Sequence, residues 1–535
     1  MGDERRDLAT IESCIQQINF FVDEIYLLEK ASLINYQRFY QLLNKICRII
    51  LNQLEDLKTE RGDLEELEEN NHITKVKRTI IIQAKNLLET VSQLQWYLKQ
   101  LSLGTGREEN IPVEFIFPLE PIIEHFIEEN LIFLIASWER NYKIVDFSNV
   151  LSRIFKNDKV ILDEINHFKD HIIIINLPCA WKEAALMHPL LFHEIGHLLI
   201  NLNPQGYKEN FIMSIDNKKI ERILKRIRSD FSNKNSKVLK DLQYFINQSI
   251  FQVDIVTTSL NWYNEILCDF FGFSLMNLGF IFAFTSFFRT SASLTSCGPT
   301  HPPGFLRFGL LYYKLSKDKR ILDFLKTISP DVYNLLKDSA TRWEYYKSKL
   351  TYLNQACVEV LENYKEHLLD SNLHEMRGLS IEEFIYNHDR FIKYKDKLFE
   401  LLLNFIPINE IIISETESYQ CNLALIINVG WFFYYNKEFD LFKEKALEHK
   451  EKPESRYSGS LGPGISQIHR DKEIPKLHVA FDISNNEKFE NNFYKERPSP
   501  FSFLNCIINK SIQLSFIQEY LKDIWERKQD VSTKN

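Results

Sequence analysis

With 535 residues the chain is too long for one small core, and 44% hydrophobic with 26% charged residues excludes a molecule dominated by disorder. A formal net charge of −8 gives no overall attraction to a nucleic-acid backbone, so no nucleic-acid partner is expected. Only 16 Gly and 16 Pro stand against 40 Phe and 23 Tyr, which argues for long helices around large aromatic cores rather than a sandwich or barrel.

The first hundred residues read as a helical bundle. Ile11, Ile15, Ile18, Val22 and Ile25 form one apolar stripe at 4-3-4-3 spacing, and Phe39, Leu43, Ile46, Ile50 and Leu57 form a second. A third stripe runs from Ile73 through Val76, Ile80, Ala84, Leu87, Val91, Leu94 and Leu98 to Leu101. The acidic stretch from Glu60 to Asn71 is expected to end one helix and begin the next turn. Such stripes need partners, either one another or a second chain, so regulatory docking or self-association through these helices is the sharper of two readings. The segment LSLGTGREENIP, 101–112, marks a boundary, giving an N-terminal bundle over 1–105.

Beyond it, Val160 to Leu162 and His171 to Leu177 are short and β-branched, which predicts strands of a small sheet. A helix follows from about Trp181 to Asn201, interrupted at Pro189 and stopped by Asn203-Pro204-Gln205-Gly206. Residues 207–250 are Lys-rich and read as an inserted helical hairpin. Apolar helices return at Asn261 to Phe288, where the 19 residues from Phe270 carry no charge. That approaches a membrane span, but Asn277, two glycines and the abutting Asp269 favour a buried helix. Then comes the proline-rich loop SCGPTHPPG, 296–304. Helices are predicted over Ile321 to Leu336, Arg342 to Leu369 and Ile381 to Leu403, with a loop over Glu451 to Asp471. A middle region is thus placed at 106–320 and a mostly helical C-terminal region at 321–535. Eight scattered cysteines without a CxxC pair read as free thiols of a reducing compartment. With a charged N-terminus that has no apolar h-region, they lead to the expectation of a cytoplasmic protein.

Chemistry concentrates in HPLLFHEIGHLLI. His193 and His197 are i and i+4 on one helix, so both imidazoles reach one metal ion. Glu194 sits beside them, placed to take a proton from water without binding the metal. Gly196 lets another element approach the helix closely. A third ligand is needed, and a carboxylate is the natural type. In NWYNEILCDFF, Glu265 and Asp269 are again i and i+4 on an otherwise apolar helix, where two carboxylates are costly to bury without a cation. Glu265 is assigned as third ligand, and Asp269 as the acceptor for the far nitrogen of a ligand histidine. His188 lies five residues before His193, off the ligand face, and suits the start of the helix.

His193-Glu194-x-x-His197 followed by Glu265-x-x-x-Asp269 resembles the gluzincin branch of zinc metallopeptidases, over roughly residues 170–310. The resemblance implies a mainly α (α+β) zincin-like core with a small β-sheet, flanked by N- and C-terminal helical regions. It also implies one Zn2+ per chain and hydrolysis of a protein or peptide substrate by zinc-activated water, with Glu194 as general base. The separation of His197 from Glu265 implies an insertion. A developing oxyanion needs a further donor, for which His301 comes first, with Arg307 and Tyr263 behind it. The strand HIIIINL suits the edge strand that zincins pair with an extended substrate. The alternative is a non-catalytic zincin-fold binding or scaffold protein acting through its helical regions. Glu194 speaks against it, since a purely structural site has no use for a carboxylate there.

Overall fold

The computed structural model describes residues 2–31, 34–64, 71–105, 125, 130–137, 143–168, 171–178, 184–202, 221–222, 225, 249–291, 293–373, 375, 382, 384–413, 418–451, 500–512 and 514–515. Nearly all of 207–250 and of the 451–471 loop lies outside these residues, and so do 203–206. The described chain is mainly α-helical with two small sheets. Contacts divide it into two compact units, Met1–Lys182 with His197–Leu202, and Glu183–Gly196 with Asn203–Asn535.

The first unit opens with three long helices, α1 (Gly2–Ala31), α2 (Ile34–Asp63) and α3 (Asn71–Thr105), packed on one another. Their predicted stripes form its core: Ile11, Ile18, Ile25, Phe39, Ile46, Ile50, Ala84 and Leu94 are all buried. The helices therefore partner each other within the chain. A three-stranded mixed sheet follows, ordered β1 (Asn130–Ser137), β3 (His171–Pro178), β2 (Lys143–Asp146). Strand β3 runs parallel to β1 and antiparallel to β2, so both of its hydrogen-bonding edges are occupied. HIIIINL is thus the central strand and cannot take a substrate backbone at its edge. Its run of four isoleucines, 172–175, is buried throughout, as in a strand covered on both faces.

Residues 160–162 are not a strand. They lie in α5 (Lys159–His167), which follows α4 (Phe147–Ile154). Asp158 caps α5 by accepting from the Ile161 N–H at 3.1 Å, and Ile161 and Ile165 bury at helical spacing. Cap and amphipathic period together outweigh the β-branched propensity of Val160, which is left 58% exposed.

The second unit contains α6 (Leu190–Leu202, its last turns counted with the first unit), α7 (Ser249–Met276) and α8 (Leu278–Ser291). The long uncharged run is broken where α7 and α8 meet, because Asn277 adopts a left-handed φ of 49° and turns the chain back. Among the described residues no helix is long and apolar enough to cross a membrane. Helices α9 (Gly304–Leu315), α10 (Lys319–Ile328), α11 (Pro330–Thr341), α12 (Trp343–Lys347), α13 (Tyr352–Asn363), α14 (Lys365–Asp370) and α15 (His388–Leu403) follow. The hairpin of β4 (Glu410–Ile412) and β5 (Ser418–Gln420) leads to α16 (Leu423–Tyr434), and α17 (Glu438–Glu451) comes after it.

Every residue of α16 from Ala424 to Phe433 is buried, and it packs on α7, α8 and α15. At its centre the Asn428 amide closes the α7–α8 turn. It donates to the Met276 carbonyl at 2.7 Å and accepts from the Gly279 N–H at 2.8 Å. Replacing it with Leu orphans two buried backbone groups, at about 1–3 kcal/mol each. Asn428→Leu should therefore lower the denaturation midpoint markedly, and an unchanged midpoint would show that the turn closes without this amide.

Candidate metal centre

The site begins with how α6 is held. The 3-10 turn Ala185–Met187 before it is pinned by two side chains from far along the sequence. Asn505 accepts from the Leu186 N–H at 2.9 Å, and the Trp431 indole donates to the Leu186 carbonyl at 2.8 Å. Helix α6 starts directly after Pro189, with the backbone carbonyl of the buried His188 at its threshold accepting from the Leu191 N–H. Burial alone pushes the His188 imidazole down to about 3, so this ring stays neutral inside the fold.

Helix α6 meets α7 through Gly196. A Cβ placed there would lie 3.0 Å from Cys268 Cα and 3.1 Å from its Cβ and Sγ. The close approach that Gly196 allows is thus to the stretch of α7 between Glu265 and Asp269. Cys268 is fully buried, and desolvation followed by the surrounding carboxylates raises its thiol well above the ordinary value, so it serves as a small apolar spacer. Gly196→Ala should cost about 1–3 kcal/mol by overpacking. Adding Cys268→Ala should recover only part of it, because the nearest atom is backbone. Full recovery in thermal denaturation would place the restraint in the thiol alone.

With the helices in this register, His193, His197 and Glu265 each bring a ligand atom within 4.8 Å of the others. His193 and Glu265 are buried and His197 is half-buried. The His193 Nδ1 lies 2.9 Å from Asp269 Oδ1, while its Nε2 faces Glu265 Oε2 at 3.4 Å. Asp269 thus contacts the ring nitrogen opposite the one that faces Glu265. Burial alone would lower the His193 ring, but the hydrogen bonds and charges of Asp269 and Glu265 outweigh it and push it up to about 10. The same negative potential draws a cation to Nε2.

Arg307, expected only as a reserve oxyanion donor, has a different place. It is buried on α9, donating from Nε to Asp269 Oδ2 at 2.7 Å and from Nη2 to Oδ1 at 2.6 Å, with Nη1 3.6 Å from Glu265 Oε2. Its guanidinium lies over the Phe284 ring, 4.5 Å from the centroid. With two of its donors on Asp269, Arg307 anchors that carboxylate. Burial alone would raise the Asp269 carboxyl, yet Arg307 and His193 hold it below the usual carboxylate range. Tyr263 is buried on α7. It lies two residues from Glu265, on a different face of α7.

His301 is brought to the cluster. Trp262 donates to the Gly298 carbonyl at 2.8 Å and Asn261 to the Pro299 carbonyl at 3.1 Å, laying the proline-rich loop along α7. Asn261 is one turn before Glu265 on the same face. The exposed His301 then reaches Glu265 Oε1 with its Nε2 at 3.8 Å. Glu194 is half-buried on α6, next in sequence to His193.

The donor set suits a divalent cation. Two imidazoles and a carboxylate form an N2O group of the kind that binds first-row metals. The formal charges agree, since Glu194, Glu265 and Asp269 against Arg307 leave two negative charges for one divalent ion to cancel. The buried His-His-Glu group could therefore hold a metal ion. No protein-family model matches the chain, and no curated protein or solved structure matches it significantly.

Proposed function

We propose that this protein is a zinc-dependent metallopeptidase of the gluzincin type, hydrolysing peptide bonds in a protein or peptide substrate. The observation that carries the reading is the orientation of His193: its Nδ1 lies on Asp269 while its Nε2 faces Glu265, in a group where His193, His197 and Glu265 each offer a ligand atom within 4.8 Å of the others. A glutamate that completes no part of that ligand set, Glu194, stands next in sequence.

When bound to His193, His197 and Glu265, the metal supplies a Lewis acid that polarises the scissile carbonyl and makes water acidic enough to deprotonate near neutrality. Glu194 takes the proton from the attacking water and returns it to the leaving amine. His301 donates from Nε2 to the carbonyl oxygen as negative charge develops there. Asp269 and Arg307 keep the His193 ring and the Glu265 carboxylate fixed throughout, so no reorganisation is needed in the reaction.

Glu265→Ala tests the ligand assignment. It should strip zinc from the purified chain, whereas Asp269→Asn should weaken retention by about 10–100-fold. Undiminished zinc in Glu265→Ala, read by elemental analysis, would remove the third-ligand assignment. Hydrolysis of a mixed peptide library by the wild type, lost on chelation and restored by zinc, tests the reaction itself.

A further inference from the structure

We infer that Asn354 is a positioning residue for His301, latching from α13 the proline-rich loop that carries this histidine; its effect on hydrolysis rests on the peptidase reading above.

The ring of His301 does not secure its own place. Its side chain is 67% exposed, and the 3.8 Å between Nε2 and Glu265 Oε1 is too long for a hydrogen bond. Its 2.8 Å contact with the Thr300 hydroxyl lies within the loop and moves with it. The ring is therefore brought to Glu265 by the backbone of the loop.

That backbone is closed at its base and held near its tip. The Phe305 N–H donates to the Leu294 carbonyl at 3.0 Å, and the Gly298 N–H to the His301 carbonyl at 3.0 Å. Three consecutive residues shortly before His301 are each held by a side chain from outside the loop. Asn354 Nδ2 donates to Cys297 Sγ at 3.0 Å, the Trp262 indole to the Gly298 carbonyl at 2.8 Å, and Asn261 Nδ2 to the Pro299 carbonyl at 3.1 Å.

Two of these donors sit on α7, the helix of Glu265, and the third comes from another helix. Asn354 occupies the first turn of α13, where the Thr351 side chain caps the helix by accepting from the Asn354 N–H at 3.4 Å. Helix α13 is tied back to α7 in turn, with the Cys357 thiol 3.8 Å from the Ile255 carbonyl. Loss of the Asn354 contact thus leaves Glu265 on an intact α7 but frees one side of the loop. Small displacements of a donor from its working position are costly in rate. Asn354 touches no reacting atom in this scheme and acts through His301.

The test uses the full-length chain and compares Asn354→Leu, which loses the donor at similar size, with Cys297→Val, the double variant, and Cys297→Ser, whose hydroxyl still accepts. On a peptide library, Asn354→Leu should lower kcat about three- to tenfold, with KM and zinc content little changed. Cys297→Ser should stay near the wild type, and the double variant should be no worse than either single one. A second readout needs no substrate: maleimide labelling of each cysteine, followed by peptide mass spectrometry. Asn354→Leu should quicken labelling of the half-buried Cys297, while the buried Cys268 and Cys421 stay as slow as in the wild type, which separates a freed loop from general unfolding. Unchanged labelling of Cys297, an unchanged kcat in an active enzyme, or additive losses in the double variant would overturn the inference. Failure of the peptidase reading looks different, because the wild type then cleaves nothing while the labelling of Cys297 still decides whether the latch exists.

Discussion

Arg307→Met should destabilise the protein by about 3–5 kcal/mol, the largest stability effect of any single substitution near the site. The guanidinium is a buried cation beside Glu265 and Asp269, and it makes two hydrogen bonds to Asp269. Methionine fills the space over Phe284 but leaves two buried carboxylates with only the His193 ring to compensate them. Arg307→Lys should rescue little, because a single ammonium cannot reproduce the paired contact. Combining Arg307→Met with Asp269→Asn should cost less than the sum of the two, since the neutral amide no longer needs the charge. Zinc should narrow the deficit by supplying positive charge at Glu265. These outcomes are read from denaturant or thermal unfolding with and without zinc, and full additivity in the double variant would separate Arg307 from Asp269 energetically.

Glu194→Gln should reduce peptide hydrolysis by about 100- to 10,000-fold while zinc content stays at the wild-type level. The amide has the same shape and sits on the same half-buried turn of α6 but cannot accept a proton from water. Glu194 lies outside the His193-His197-Glu265 group, so its neutralisation leaves every ligand atom in place. Retained zinc with lost activity separates a chemical role from a structural one. Activity at the wild-type level in Glu194→Gln would end its assignment as general base.

Much of the site is legible in the sequence because helical spacing converts directly into shared faces. The i and i+4 pairs His193/His197 and Glu265/Asp269 needed no tertiary knowledge to be placed on one side of their helices. The cost of burying two carboxylates on an apolar helix led to Asp269 as the partner of a ligand histidine, and Asp269 lies on His193 Nδ1. The same argument, carried to the other sign, would have found Arg307. It is a lone charge in GFLRFGLL, a stretch as apolar as that around Glu265.

Other features depend on contacts that spacing does not encode. The break at Asn277 is stabilised by Asn428, 151 residues away, and nothing local marks it apart from the asparagine. The turn leading into the HEIGH helix is held by Trp431 and Asn505, so side chains far along the sequence fix the start of that helix. At 160–162 a helix cap overrode β-propensity. For HIIIINL, composition correctly suggested a strand but carried no information about which strands flank it.

The measurement that bears most directly on this account is metal content per chain, by elemental analysis of protein purified without chelators or a histidine tag. The account predicts about one zinc per chain in the wild type and in Glu194→Gln, with loss in Glu265→Ala. No zinc in the wild type after reconstitution with Zn2+ would contradict it, and would leave His193, Glu265, Asp269 and Arg307 as a buried ionic cluster with a structural role.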